Sequence, residues 1–527
     1  MITKIRDMNK ITKYILIFAA VLYSTACSDS FLTNDYKNGL DDDAVEKLLE
    51  ESPDAVVNSY VNAIYSYMVE GFSYNTDSHD IFTFASILHT ADMTAQDMVQ
   101  SASHWFNFDY DWDNRMNNYR RTRSHWGTLY TMIAKANTII NLFEEEPGED
   151  NVGARAGLGQ ALAIRGLSYY YLIQLYQQSA TEDASILSLP GVPMRFANSE
   201  DVADKDALVG RNTVKRIHEQ IESDLSRAVD LLKGYDRPVK FYVDQAVAYG
   251  FLARFYLLTG EWQKADDAAA SAYKTAQESK DKIGIMPASK LHDGFMDLGN
   301  EEWMWGFAHT TETQTAYASW FSMMSNIAPG YAGLGYAPRL IDRALYDQIP
   351  NSDERKKLFN DEVGNPNKDG EFDKSSDLPY ANIKFGDKGD WTMDYVYMRA
   401  AEMILIQAEA KAHLNNGAGA ATVLKTLMAQ RDPKWNKTSV TVDDVFLQRR
   451  IELWGEGFNF FDFKRLNKVV DRTYAGSNHR TKIYAHHGET IIDKDKYGDN
   501  ERVAKDWTYQ IPITEIQENE LITSNND

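Results

Sequence analysis

The chain of 527 residues has one cysteine, Cys27. That excludes an internal disulfide, a cysteine-ligated zinc site and an iron–sulfur cluster. Positive charge is in deficit: 55 Lys and Arg stand against 77 Asp and Glu, a formal net charge of −22. Binding a nucleic-acid backbone requires a basic footprint, so nucleic acid is not an expected partner. Long apolar runs are scarce. The run Tyr14–Tyr23 is about half the ~20 residues a transmembrane helix needs. Signatures of catalysis are missing too. His218-Glu219 is followed by Gln220-Ile221-Glu222, not by the second histidine of a zinc protease. No nucleophile elbow or phosphate-binding loop appears. Gly157-Leu158-Gly159 lies inside a helical pattern, and Gly333-Leu334-Gly335 leads to Pro338 rather than to a helix-opening glycine. Asp109, Asp111 and Asp113 alternate as in a calcium loop, but Asn114 replaces the needed glycine and Arg120 the bidentate glutamate. Asp493, Asp495, Gly498, Asp499 and Glu501 come nearer, with Ala504 at the last ligand position. No catalytic residue, metal or cofactor is therefore expected.

The N-terminus reads as an export signal. Lys4, Arg6, Lys10 and Lys13 precede the Tyr14–Tyr23 apolar run, and Ser24-Thr25-Ala26 leads into Cys27. Small residues directly before the only cysteine resemble a bacterial lipoprotein cleavage box. This implies cleavage before Cys27 and lipidation at Cys27. Removing residues 1–26, with four basic and one acidic side chain, leaves a net charge of −25. The mature chain would be held at a membrane by lipid alone. Ser28 to Asp43 is polar and acidic, a short tether.

The body is patterned for helices. Apolar residues recur at spacings of three and four over 123–146, ended by Pro147-Gly148, and over 154–178. A third helix is expected over 213–233, with Thr213 as N-cap. Residues 243–259 and 263–278 flank Gly260-Glu261-Trp262, and small Ala265, Ala268, Ala269 and Ala272 allow close approach. This pair resembles a tetratricopeptide unit. A weaker echo runs over 396–416 and 418–430. The fold class expected is mainly α: irregular tetratricopeptide-like helical hairpins with long loop-rich insertions and few short strands.

Two stretches, 70–122 and 279–395, have little helical period and are rich in Gly, Asn, Asp, Trp and Tyr. Six of the eleven tryptophans fall in them: Trp105, Trp112, Trp303, Trp305, Trp320 and Trp391. Loops this long are frequently functional. Aromatic rings stack on the flat C–H faces of sugars while amides read the hydroxyls. The first stretch offers Tyr74, Trp105, Phe106, Asn107 and Trp112, and the second Trp320, Phe321, Tyr331 and Tyr336. Trp303 and Trp305 sit in an alternating run that reads as a buried strand. The favoured ligand residues are Trp105, Asn107, Trp320, Tyr331 and Tyr74.

The most specific pattern lies at the C-terminus. Tyr397 to Ala410 reads as one amphipathic helix in which Arg399 and Glu402 can pair. A second run, Gln448-Arg449-Arg450-Ile451-Glu452-Leu453-Trp454-Gly455-Glu456-Gly457-Phe458, places Arg449, Glu452 and Glu456 on one face. Ile511-Pro512-Ile513-Thr514 then opens a short helix. With Trp126, Leu129, Tyr130, Ala136 and Asn137, these motifs resemble the SusD/RagB family of surface nutrient-binding lipoproteins of Bacteroidetes. Gln448 stands where the family usually has Glu, and Asn459 where it has Arg. The resemblance implies a signal peptide over 1–26 and a lipidated tether over 27–43. It implies an N-terminal helical region over 44–278 with the insertion 70–122. A loop-rich insertion over 279–395 and a C-terminal helical region over 396–527 would come next. It further implies a non-catalytic, lipid-anchored protein on the outer face of the outer membrane. Such a protein captures an oligosaccharide or polysaccharide and delivers it to a SusC-like TonB-dependent transporter. Peptide capture, as in the RagB branch, and a surface glycosidase are the alternatives. The charged residues of the C-terminal motifs read as framework.

Overall fold

The computed structural model describes residues 53–69, 78–143, 145–179, 183–196, 209–313, 316–485, 490–492, 501–503 and 507–526. Cys27, the tether, Tyr74 and the acidic 493–499 loop lie outside them. The chain divides into two units, Met1–Val56 and Val57–Asp527. Of the first, only Pro53–Val56 are described, as the first turn of a helix. The second holds the rest of the described structure.

The longer helices are α1 (Pro53–Val69), α2 (Thr83–Thr94), α3 (Arg120–Ile140), α4 (Val152–Tyr176), α5 (Val214–Leu231), α6 (Gln245–Thr259), α7 (Trp262–Glu278), α8 (Ala400–His413), α9 (Gly417–Met428) and α10 (Val442–Glu452). From α3 to α9 each packs on its neighbour in sequence, and α8 docks on α7 across more than a hundred intervening residues. Local chemistry sets the ends. Thr213, Asp244 and Asn416 accept from backbone N–H groups of the first turns of α5, α6 and α9, and Thr441 with Asp444 forms a capping box on α10. Gly260 ends α6 in the left-handed region at φ 74°, so α7 can turn straight back. The contact between them is lined by buried Ala265, Ala268, Ala269 and Ala272. Ile404, Leu405, Leu424, Leu427, Val445 and Leu453 share a core between α8, α9 and α10. Each such side chain contributes about 1.5–3 kcal/mol on burial.

Strands are short and antiparallel among the described residues. β1 (Met98–Gln100) pairs with β5 (Arg339–Ile341), β2 (Pro190–Pro193) with β3 (Arg211–Thr213), and β4 (Trp303–Phe307) with β6 (Tyr395–Arg399). The mainly helical class expected from the sequence is the class observed. Three local expectations need correction. The 70–122 stretch contains α2, every residue of which is buried. A helix enclosed on all sides shows no amphipathic stripe, so periodicity could not find it. α3 ends at Ile140, ahead of Pro147. And α8 begins at Ala400, because residues 395–399 satisfy their backbone groups against β4.

That last shift separates Arg399 from Glu402. Glu402 pairs with Arg254 of α6 at 2.7 Å. Arg399 turns into a buried ionic network. It binds both oxygens of Glu456 at 2.8 Å, Glu452 at 3.1 Å, and Glu302. Arg431 bridges Glu302 at 2.8 Å and Glu452 at 3.0 Å. Arg355 joins Glu452 to Asp353, and Lys384 binds Glu456 at 2.6 Å. Burial by itself would raise Glu452, but Arg431, Arg399 and Arg355 hold its carboxyl well below the usual range. Arg449 leaves this group and pairs with Asp462 at 3.0 Å. The network ties both strands of the β4–β6 ribbon, at its Trp303–Arg399 end, to the C-terminal end of α10.

Candidate functional site

The 70–122 and 279–395 stretches meet in one aromatic cluster. His79, His104 and Trp105 come from the first, Tyr317, Tyr331 and Tyr336 from the second. The His79 and Trp105 rings stack with centroids 5.6 Å apart and planes 20° from parallel. His104 lies 4.8 Å from Tyr331 and 5.4 Å from Tyr336. Tyr331 meets Trp105 edge-on at 6.4 Å and Tyr317 at 5.6 Å. Its hydroxyl bonds His79 Nδ1 at 2.7 Å. Tyr336 is 55% exposed and Tyr317 48%, beside exposed Leu334. His79, His104, Trp105 and Tyr331 are half-buried beside them.

Each ring is held from below. The first turn of α3 clamps the segment bearing His79. Arg120 donates to Ser78 Oγ and to both Asp80 oxygens, and Arg121 to the Asp80 carbonyl and carboxylate. Phe106 is driven inward, 4.6 Å from His89 and from the Arg121 guanidinium. Its φ of 65° is costly for a side chain with a Cβ. The turn that results leaves His104 and Trp105 at the surface. On the other side, loop 325–337 is pinned to the short helix Trp320–Met324. Ala332 N donates to Ser322 O at 2.9 Å, and Tyr331 N to Ser322 Oγ at 3.1 Å. A Cβ on Gly333 would lie 1.9 Å from the Ala328 carbonyl oxygen, so the turn closes only around glycine.

Two polar atoms in the cluster, His104 Nδ1 and Trp105 Nε1, are enclosed and without a hydrogen-bond partner. Burial first, then Arg339 and His79, hold the His104 imidazole below its ordinary range, which keeps it neutral at pH 7. The surface can stack flat faces and exchange hydrogen bonds. Its neighbouring carboxylates are engaged: Asp80 and Asp109 by Arg121, and Asp111 by Arg480 and Thr481.

Of the sequence candidates, Trp105 and Tyr331 lie in the cluster. Asn107 sits at its margin, its amide donating to Asp111 at 2.8 Å and accepting from Arg480 at 2.5 Å. Trp320 is a correction. It is 7% exposed and packs on Phe321, Phe385 and Tyr395. It opens a helix whose five residues are all buried. Phe106, Trp112 and Phe321 are buried as well, as are Trp303 and Trp305 of β4. His79, His104 and Tyr317 were missed. Their available signal was adjacency: His104 precedes Trp105, and Tyr317 lies three residues before Trp320. Among the described residues no cluster of His, Cys, Asp or Glu is placed to hold a metal. A separate cleft of 750 Å³ lies on the helical body, lined by His413, Gly417, Thr441, Asp443, Arg465 and Lys468. No described helix is long and apolar enough to cross a membrane.

A helical-hairpin body carrying an aromatic surface on long insertions defines the class, and comparison with known proteins narrows it. Residues 47–257 match a SusD-like family described as starch-binding associating with outer membrane, and residues 354–527 match the SusD family. The chain belongs to the SusD/RagB family. SusD-like protein P2 of Formosa agariphila is 23% identical over 400 residues, covering 68% of this chain and 74% of its own. A SusD-like carbohydrate binding protein from Bacteroides vulgatus superposes with a TM-score of 0.72 at 24% identity, covering 89% of this chain and 97% of its own. Surface glycan-binding protein A from Bacteroides uniformis gives 0.62 at 17% identity, covering 90% and 99%.

Proposed function

We propose that this protein is a non-catalytic, lipid-anchored glycan-binding protein on the outer face of the outer membrane. It captures saccharide on the surface formed by His79, His104, Trp105, Tyr317, Tyr331 and Tyr336, and passes it to a SusC-like TonB-dependent transporter. The observation that carries the reading is the convergence of the two insertions into one partly exposed aromatic cluster with unpartnered polar atoms. Stacking supplies affinity, and the exposed Tyr317 and Tyr336 can exchange hydrogen bonds with sugar hydroxyls. The carbohydrate- and glycan-binding proteins of the same fold support the ligand class. Cys27 supplies the acyl attachment, with residues 1–26 removed. The 70–122 and 279–395 insertions form the ligand region, and the 44–278 and 396–527 helical regions the body.

Isothermal titration with a panel of oligosaccharides and of peptides tests this. At least one oligosaccharide is expected to bind, and Trp105→Ala or Tyr331→Ala to weaken it by about two- to tenfold, on the scale of one lost stacking contact. Binding of peptides alone, or release of new reducing ends from polysaccharide, contradicts the reading. Co-purification of a TonB-dependent transporter from the native membrane tests the delivery role.

A further inference from the structure

One charge next to the aromatic surface is unanswered. Asp80, Asp109 and Asp111 answer Arg120, Arg121 and Arg480. Arg339, on β5, has no carboxylate within ion-pair distance among the described residues, although it is fully buried. Its guanidinium donates to the Ala337 carbonyl at 2.6 Å and lies 3.4 Å from His89 Nε2, and its Nε has no partner. Gln100 is its cross-strand neighbour on β1, and Gln100 Oε1 is unpartnered as well. A buried donor and a buried acceptor on paired residues are thus left open. Burial, with Arg480 nearby, pushes Arg339 down to about 9, so it stays cationic at neutral pH. The chain carries 22 more acidic than basic side chains, so a missing counter-ion is not a matter of composition. A buried cation is ordinarily paired, because desolvation without a partner costs several kcal/mol.

Arg339 sits under one edge of the surface. It binds the carbonyl of Ala337, which directly follows Tyr336, and its charge is among those acting on His104. At the exposed Tyr336 edge that field reaches solvent, where salt screens it.

We propose that the aromatic surface takes an acidic saccharide, its carboxylate or sulfate group lying at the His104–Tyr336 edge over Arg339. This rests on the surface being the glycan site. The rings hold the sugar faces, and Arg339 supplies the compensating charge through the protein rather than by contact.

The test is isothermal titration of the mature protein with size-matched neutral, uronate-containing and sulfated oligosaccharides at low and high salt. One acidic oligomer is expected to bind about tenfold or more tighter than the neutral one, with the advantage shrinking as salt rises. The uronate and sulfate arms tell the two anions apart. Arg339→Gln is expected to reduce acidic binding to the neutral level, while Trp105→Ala weakens every oligomer. If Arg339→Gln does not fold, the salt dependence of the unaltered protein decides. Equal affinity for neutral and acidic oligomers, or an acidic preference insensitive to salt, overturns the acidic assignment and leaves the glycan surface standing. No binding of any oligomer, or Trp105→Ala without effect, overturns the surface itself.

Discussion

Replacing Arg399 by methionine tests what holds the C-terminal motifs in place. Arg399, Arg431, Arg355 and Lys384 face Glu302, Glu452, Glu456 and Asp353, so buried cations and carboxylates balance. Arg399→Met keeps the bulk of the stem and removes one positive charge. Glu302 then retains Arg431, Glu452 retains Arg431 and Arg355, and Glu456 retains only Lys384. Breaking a buried pair costs about 3–5 kcal/mol, and the surviving partners place this change near 3. Urea unfolding monitored by circular dichroism reads it. The pH dependence gives a second check. Burial opposes the charge on Glu456, but Arg399 and Lys384 lower its carboxyl below the usual value, as their partners lower Glu452. A depressed carboxyl stabilises above its unfolded pKa and loses that contribution as pH falls through the folded one. In the variant the stranded carboxylates take up protons more readily. The gap to wild type should therefore narrow between pH 7 and about pH 5. A loss under about 1 kcal/mol, or a gap that widens on acidification, refutes the account.

Other outcomes depend on single contacts. Gly333→Ala should displace the loop bearing Tyr331 and Tyr336 and weaken ligand binding in titration. Its new Cβ would meet the Ala328 carbonyl oxygen at 1.9 Å. Trp320→Ala should cost about 3–5 kcal/mol in urea unfolding while the folded fraction binds ligand normally, since the ring is interior. Normal stability with lost binding would return Trp320 to the ligand face. Cys27→Ala should abolish incorporation of labelled fatty acid and release the protein from the membrane fraction; unchanged labelling would rule out Cys27 as the attachment point.

Helix positions were legible where one face is buried and the other wet. α5 has both its stripe and its Thr213 cap in the sequence. Legibility failed where burial is uniform, as in α2, or where a distant strand competes for backbone groups, as at Tyr395–Arg399. Trp105 and Trp320 carry the same chemistry in similar polar, glycine-containing neighbourhoods. Only the packing of Phe385 and Tyr395 over Trp320 distinguishes them, and those partners are 65 and 75 residues away. His79 was invisible for the same reason: it matters through Trp105 and Tyr331, which lie on two different insertions.

The sequence by itself determined the helical class and the family. Those rest on local periodicity, on capping and on short motifs, all written within a few turns of chain. The tertiary structure decided which aromatics form a surface, which become core, and which carboxylate each arginine meets. Those choices depend on side chains far apart in the chain, such as Trp105 with Tyr331 and Arg399 with Glu302, and contacts of that reach leave no pattern in a single sequence.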